Sequence, residues 1–385
     1  MTARIALYVG GLLGPFGGGV VAAMLPELGG TYGISPGLAA GSMTAYLLPF
    51  AVVMLVSGNL GERWGVSRSI RWAYVGYALA ALLGALAPTF WAFQGARALQ
   101  GVANAFTTPL LLAKVAASTP RERLGRALGT MGSMQAIGQT TAPLVGGLAA
   151  ESAWQLAFVG LAAVAAALAL SPLPADPGTA AESSRRPSAL GDAWRPVVLL
   201  AGGVCFVAWM SSAGLPFLVS LRLGDAFELS SGARGLVLTG YGIAGALAAR
   251  LTGSAVDRLG ERAVLITGLL LAAVVVGSIG VLPHLPLVLV AWAIAGVCGQ
   301  LILVGINSTV LGGAGGGGGA ISVVTAWRFL GMAAAPAAFT AAYRHDAALG
   351  FGIPASLLVL TIPVVAVFWP RGKRSEPAQA GRQRR

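Results

Sequence analysis

Two arginines lie where arginine is costly. Arg97 and Arg328 each sit inside a long apolar run, and a charge at the centre of a membrane-spanning helix costs about 2.5–3.5 kcal/mol on insertion scales. A guanidinium so placed needs a carbonyl, an aromatic face or a ligand, so both are candidates to hold a water or a substrate oxygen. Uncharged polar and aromatic residues inside other runs could line the same cavity: Tyr46, Gln100, Asn104, Gln135, Gln139, Trp209, Tyr241, Gln300 and Asn307. Gln135 and Gln139 are four apart and share a helix face. A lining with few charges and several aromatics suits neutral or amphipathic organic molecules. All 13 acids fall in loops or near the ends of runs. Glu27, at the end of the first run, is the best placed of them to carry a proton. An integral-membrane enzyme would need clustered His, Asp or Glu within the runs; there is none, so no catalytic residue, metal or cofactor is expected. Cys205 and Cys298 read as apolar packers, and His284 and His345 as loop residues.

A second kind of chemistry is written twice. GNLGERWGVSR starts at Gly58, and GSAVDRLGERA starts at Gly253, 195 residues later. Each follows an apolar run and sets an acid beside an arginine (Glu62-Arg63, Asp257-Arg258). Each then has a glycine (Gly65, Gly260) and a further arginine (Arg68, Arg262). Such a turn can bridge helix ends and hold one conformation shut, and its glycines permit a sharp turn close to neighbouring helices. The repeat extends further: Arg97-x-x-Gln100-Gly101 aligns with Trp292-x-x-Ala295-Gly296, and Gly138 and Pro143 align with Gly331 and Pro336. Duplicated membrane bundles are the usual architecture of secondary transporters.

The elements that position these residues follow from composition. Of 385 residues, 56% are hydrophobic and only 10% charged, against about 25% charged in a soluble globule. The solvent is therefore a bilayer. Twelve runs meet the roughly 20-residue requirement of a spanning helix, near 5–28, 38–60, 72–87, 90–113, 127–149, 154–171, 197–221, 232–254, 263–282, 285–311, 320–342 and 349–369. The fold class is an all-α integral membrane protein, twelve helices in two pseudo-symmetric six-helix halves. The expected division is 1–171 for the first bundle, 172–196 for a polar linker, 197–369 for the second bundle and 370–385 for a basic tail. GGAGGGGG at 312–319 lacks the GKS or GKT of a phosphate cradle and reads as an interhelical loop. With both termini cytoplasmic, only Arg222, Arg234 and Arg344 of the 25 lysines and arginines fall in outer loops. This is the positive-inside pattern. It accounts for the net charge of +12 without nucleic acid, and sets the basic tail near anionic lipid headgroups.

At these motifs the chain resembles the major facilitator superfamily, and within it the twelve-span drug/proton antiporters. The turn after the second run is similar to G-x-L-[AS]-D-R-x-G-[RK]-[RK], with Gly58, Leu60, Arg63, Gly65 and Arg68 in place and Glu62 at the usual Asp. Arg97, Gln100 and Gly101 resemble R-x-x-Q-G. Gly129, Gly138, Pro143, Gly146 and Gly147 resemble the fifth-helix antiporter motif, with Ala142 replacing a glycine. Met24-Leu25-Pro26 resembles an A-L-P ending, but the acid often found about ten residues before it is Phe16 here. The resemblance implies the major facilitator fold in a cell inner membrane. It implies a monomer that exports small organic or drug-like compounds by alternating access, in exchange for protons. Two alternatives stand beside it: an importer of a small organic anion using Arg97 and Arg328, and a non-transporting membrane scaffold or sensor.

Overall fold

The computed structural model describes residues 3–174, 195–312 and 318–370, and no strand occurs among them. The polar linker, the basic tail after Pro370 and most of the glycine run therefore lie largely outside the described residues. The chain forms α1 (Ala3–Gly19), α2 (Leu25–Tyr32), α3 (Pro36–Ala39), α4 (Gly41–Trp64), α5 (Val66–Ala85), α6 (Phe90–Ala117), α7 (Arg121–Ala150) and α8 (Gln155–Leu170). After the linker come α9 (Pro196–Met210), α10 (Pro216–Phe227), α11 (Ser231–Leu259), α12 (Glu261–Ile279), α13 (Leu285–Gly312), α14 (Gly318–His345) and α15 (Ala347–Phe368).

These helices make twelve segments at the places of the twelve apolar runs, and two of them differ from a plain rod. The first run is interrupted between α1 and α2, and the seventh between α9 and α10. Both interruptions end at Leu-Pro, with Pro26 and Pro216 opening the following helix. Proline has no N–H for the preceding turn and its ring clashes with the carbonyl four residues back, so it begins a helix better than it continues one. Elsewhere the ends are ordinary caps. Thr89 Oγ1 accepts from the Ala92 amide at the start of α6, and Ser230 Oγ accepts from Ala233 at the start of α11.

Among the described residues, six helical segments are long and apolar enough to cross a membrane by length and composition: Pro36–Trp64, Ser231–Leu259, Glu261–Ile279, Leu285–Leu311, Ala320–His345 and Ala347–Phe368. The other segments are shorter, interrupted or laden with polar groups, as α6 is with Arg97, Gln100 and Asn104. Within the first half α4 packs on α6, α5 on α6 and α8, and α1 on α7. The second half repeats the scheme, with α11 on α13, α12 on α13 and α15, and α9 on α14. The halves meet along two seams, α7 against α11 and α4 against α14.

The duplication is visible atom by atom. A Cβ on Gly101 would overlap the carbonyl oxygen of Tyr46, and one on Gly296 that of Tyr241. Both glycine and tyrosine are displaced by 195 positions between the halves. Gly138 meets the Leu12 carbonyl as Gly331 meets that of Phe206. Only a hydrogen fits at these crossings, so the helices pack backbone to backbone, the usual means of tight association in lipid.

Candidate functional site

The centre of the molecule is where the two seams and the two interrupted segments converge. A cavity of about 40 Å³ lies there, lined by Pro15, Tyr46, Gln139, Pro216, Phe329 and Met332 among others. Phe50 of α4 and Phe329 of α14 close one side edge to face, with ring centres 4.7 Å apart. A larger concavity, about 940 Å³, is elsewhere: it lies on the outward faces of α5 and α6 between Trp64, Trp72, Leu83 and Phe106. Trp64, Trp72 and Leu83 there are exposed on the face of one half, away from both seams, so it is not the central site.

Arg97 lies inside the first half. It is fully buried. Its Nη1 donates to Gln100 Oε1 at 2.5 Å, Nη2 to the Gly17 carbonyl at 2.7 Å and Nε to the Ser42 carbonyl at 3.4 Å. Its guanidinium also sits 4.4 Å over the Tyr46 ring. Gln100 is thereby engaged by Arg97. Asn104 Oδ1 accepts from Thr107 Oγ1 at 2.7 Å, and its side chain packs against Gly14. Tyr46 donates to the Gly14 carbonyl at 2.7 Å.

The repeat explains what Arg97 does there. Its counterpart in the second half is Trp292, whose Nε1 donates to the Leu238 carbonyl at 3.2 Å and whose ring lies 4.9 Å from that of Tyr241. Arg97 over Tyr46 and Trp292 beside Tyr241 are two versions of one joint between matching helices. In one half the donor is charged, in the other neutral.

Arg328 has no such set of partners. Its guanidinium lies 4.9 Å from the Phe329 ring centre and 5.6 Å from that of Trp209. Nε is buried without a hydrogen-bond partner. In the repeat Arg328 corresponds to Gln135, and Met332 to Gln139. Met332 and Gln139 both line the central cavity. Arg328 and Gln135 each lie four residues before these, one turn toward the end that carries the charged turns. Both are half-buried. Tyr241, Gln300 and Asn307 are half-buried on α11 and α13, and Trp209 is buried at the end of α9.

The end opposite the charged turns is fastened. Arg234 Nη2 reaches both carboxylate oxygens of Glu27, at 2.6 and 2.8 Å, and also donates to the Ala23 carbonyl at 3.0 Å. Glu151 Oε1 accepts from Ser230 Oγ at 2.9 Å and from the Gly232 amide at 3.2 Å. Both acids belong to the first half, and their three partners in the second, Ser230, Gly232 and Arg234, lie at the start of α11. Gly147 of α7 rests on the Ser231 carbonyl, and Gly235 of α11 on that of Pro143. Gly138 and Gly146 press instead on α1 and on Val20 just beyond it, while Gly129 faces open space. The fifth-helix motif is thus a strip of contact with two neighbours, one in each half. Thr44 Oγ1 donates to the Ala333 carbonyl at 2.5 Å across the other seam.

Sequence reasoning singled out Glu27 and missed Arg234 and Glu151. A signal existed for Arg234: a cation in the first turn of a helix runs against the helix dipole, so it needs an acid nearby. At the other end Glu62, Arg63, Arg68, Asp257 and Arg258 are exposed, and no ion pair involving these acids occurs among the described residues. Gly65 and Gly260 adopt φ of 91° and 82°, the left-handed side that the turn requires and glycine supplies. Gly58 and Arg262 are half-buried beside them. Lys114 Nζ bonds to Ser67 Oγ within the first turn.

A family model described as the Major Facilitator Superfamily matches residues 7–222 and again 200–385. The chain is 24% identical over 369 residues to the uncharacterized MFS-type transporter YceJ of Bacillus subtilis (strain 168), covering 93% of this chain and 94% of that protein. It is 34% identical over 149 residues to the puromycin resistance protein pur8 of Streptomyces alboniger, 38% of this chain and 29% of that one. A multidrug resistance protein B homolog of Mycobacterium tuberculosis is 29% identical over 147 residues, 37% of this chain and 27% of its own length. Among solved structures, a D-xylose-proton symporter superposes with a TM-score of 0.77 at 16% identity, covering 97% of this chain and 99% of that one. The nucleoside transporter NupG gives 0.79 at 12% identity, covering 96% and 100%. Likeness at such identities speaks to the fold.

Proposed function

Since the chain belongs to the Major Facilitator Superfamily and is a transporter rather than an enzyme, we propose that it exports small organic, drug-like compounds in exchange for protons. It works by alternating access in a cell inner (plasma) membrane, as a monomer with both termini in the cytoplasm. The observation that carries this reading is the one-sided fastening of the halves. Arg234–Glu27 and the Glu151 contacts join them at one end, while at the other end Glu62 and Asp257 form no ion pair among the described residues. Assigned by the positive-inside pattern, the fastened end is periplasmic and the free end cytoplasmic. This is the state that would receive cargo from the cytoplasm.

Glu27 is the proton-coupling residue in this scheme. A carboxylate that takes up a proton loses its charge and releases Arg234, so a periplasmic proton would unlock the outer seam. Glu62 and Asp257, with their neighbouring arginines, would fasten the opposite end in the other state. The relatives named for multidrug and puromycin resistance support export over import. The importer alternative drew on Arg97 and Arg328 together, and Arg97 is already engaged by Gln100 and two carbonyls.

The test is accumulation of labelled ethidium and labelled 2-naphthoate by everted vesicles, with and without an acid interior and against vesicles that lack the protein. Uptake driven by interior acid supports the exchange. Transport that ignores the gradient removes the proton from the mechanism, and transport only in right-side-out vesicles reverses the direction.

A further inference from the structure

We propose that cargo binds against Arg328, and that the site prefers an organic anion with a flat ring: the acid group on the guanidinium, the ring beside Trp209 and Phe329. This rests on the reading of the chain as a transporter and narrows its substrate class.

The starting point is the contrast between two arginines on one inventory of partners. Arg97 spends its donors on Gln100, Gly17 and Ser42. Arg328 makes no hydrogen bond among the described residues, its Nε is buried without a partner, and no carboxylate pairs with it. A buried donor left unmade is penalised, and a charged one more than a neutral one. Two aromatic faces offset part of its charge, but a guanidinium whose N–H donors meet no acceptor among the described residues can take one from cargo.

Position says where that acceptor comes from. Arg328 lies one helical turn below Met332, and Gln135 one turn below Gln139, and the upper pair lines the central cavity. Residues four apart share a helix face. Arg328 and Gln135 therefore flank the same axis from the two halves, on the side of the closed centre where the halves are unfastened. Arg328 is half-buried, so part of its surface remains accessible to a ligand.

Shape completes the argument. A guanidinium offers a planar fork that matches a carboxylate or sulfonate with two parallel bonds. Trp209 and Phe329 flank it at 5.6 and 4.9 Å; both rings are buried, so an aromatic group whose acid reaches the guanidinium would lie against an aromatic wall. A cationic drug at this position would meet Arg328 with like charge and nothing to offset it.

The probes are 2-naphthoate, its neutral isostere 2-naphthamide, and the cation 2-naphthylmethylammonium. Binding of each is measured by equilibrium dialysis to the full chain in lipid nanodiscs. We expect naphthoate to bind about tenfold more tightly than the amide, a gap worth one decade in Kd. The cation should bind weakest. Arg328→Gln should erase the difference between naphthoate and amide, Arg328→Lys should keep part of it, and Trp209→Ala should weaken both about equally. Melting and gel filtration show which variants are folded, and Arg328→Lys carries the test if Arg328→Gln is not. Equal binding of the three probes, preference for the cation, no binding at all, or an anion preference that survives in folded Arg328→Gln each overturns the proposal. The vesicle assay is independent: a preserved anion preference with no proton-driven export removes the exporter reading and leaves this site standing.

Discussion

Arg97 ties three segments of the first half together, through the Gly17 and Ser42 carbonyls and Gln100. Removing it leaves those acceptors buried and unmet, at ~1–3 kcal/mol for an orphaned group. We expect Arg97→Ala to lower the melting temperature of the purified protein clearly, and Arg97→Lys to be nearly as damaging, since an ammonium cannot reproduce the fork. A wild-type melt for Arg97→Ala would contradict the joint described above. At this scale the sequence exposed the costly residues but not their sorting. Arg97 and Arg328 look alike as arginines within apolar runs. Both stand over aromatic faces; only the Gly17 and Ser42 carbonyls opposite Arg97, with no acceptor opposite Arg328 among the described residues, separate a tie-bar from an open cation. Arg234 was hidden for a related reason: its partner Glu27 is 207 positions away, beyond any local spacing.

The helical segments owe their close crossings to glycine, and this can be checked by comparing sites. Gly101→Ala and Gly296→Ala each drive a methyl into a tyrosine carbonyl, and overpacking of that kind costs about 1–3 kcal/mol. Gly129→Ala, which meets nothing within 4 Å, should leave the melt unchanged. If all three behave alike, the crossings are looser than described. The charged turns call for a different readout. Glu62→Ala and Asp257→Ala touch exposed acids, so membrane yield should stay near normal while vesicle transport slows. Undiminished transport in both would remove the turns from the cycle. The segments were legible in the sequence because apolar length and charge punctuation follow directly from the solvent. The breaks at Pro26 and Pro216 were not read, since an apolar run reports burial and not backbone continuity. The fifth-helix motif was legible as glycine and proline, but its sharing between Val20 and Ser231 depends on tertiary packing.

For the whole molecule, the proposed cycle makes the Arg234–Glu27 seam the element that sets the balance between two states. Arg234→Met keeps bulk but leaves Glu27 unpaired, and should shift the population toward the outwardly open form. Spin labels placed on the periplasmic ends of α7 and α11 should then show longer distances, with the cytoplasmic ends closer. Unchanged distances would mean that the glycine contacts alone hold the seam. Reporter fusions at Arg185 and at the tail should both report cytoplasm, and a periplasmic signal from either would invert the assignment of ends. The one-sided fastening has a further consequence. Glu27 and Glu151 come from separate parts of the first half, yet both grip the stretch from Ser230 to Arg234. Two clasps on a single rigid turn cannot be undone one after the other without straining that turn. The seam should therefore part as a unit, with a half-open form scarcely populated. A compact binder lodged from outside against those five residues would stall the cycle without entering the cargo path, and excess cargo would not relieve the block.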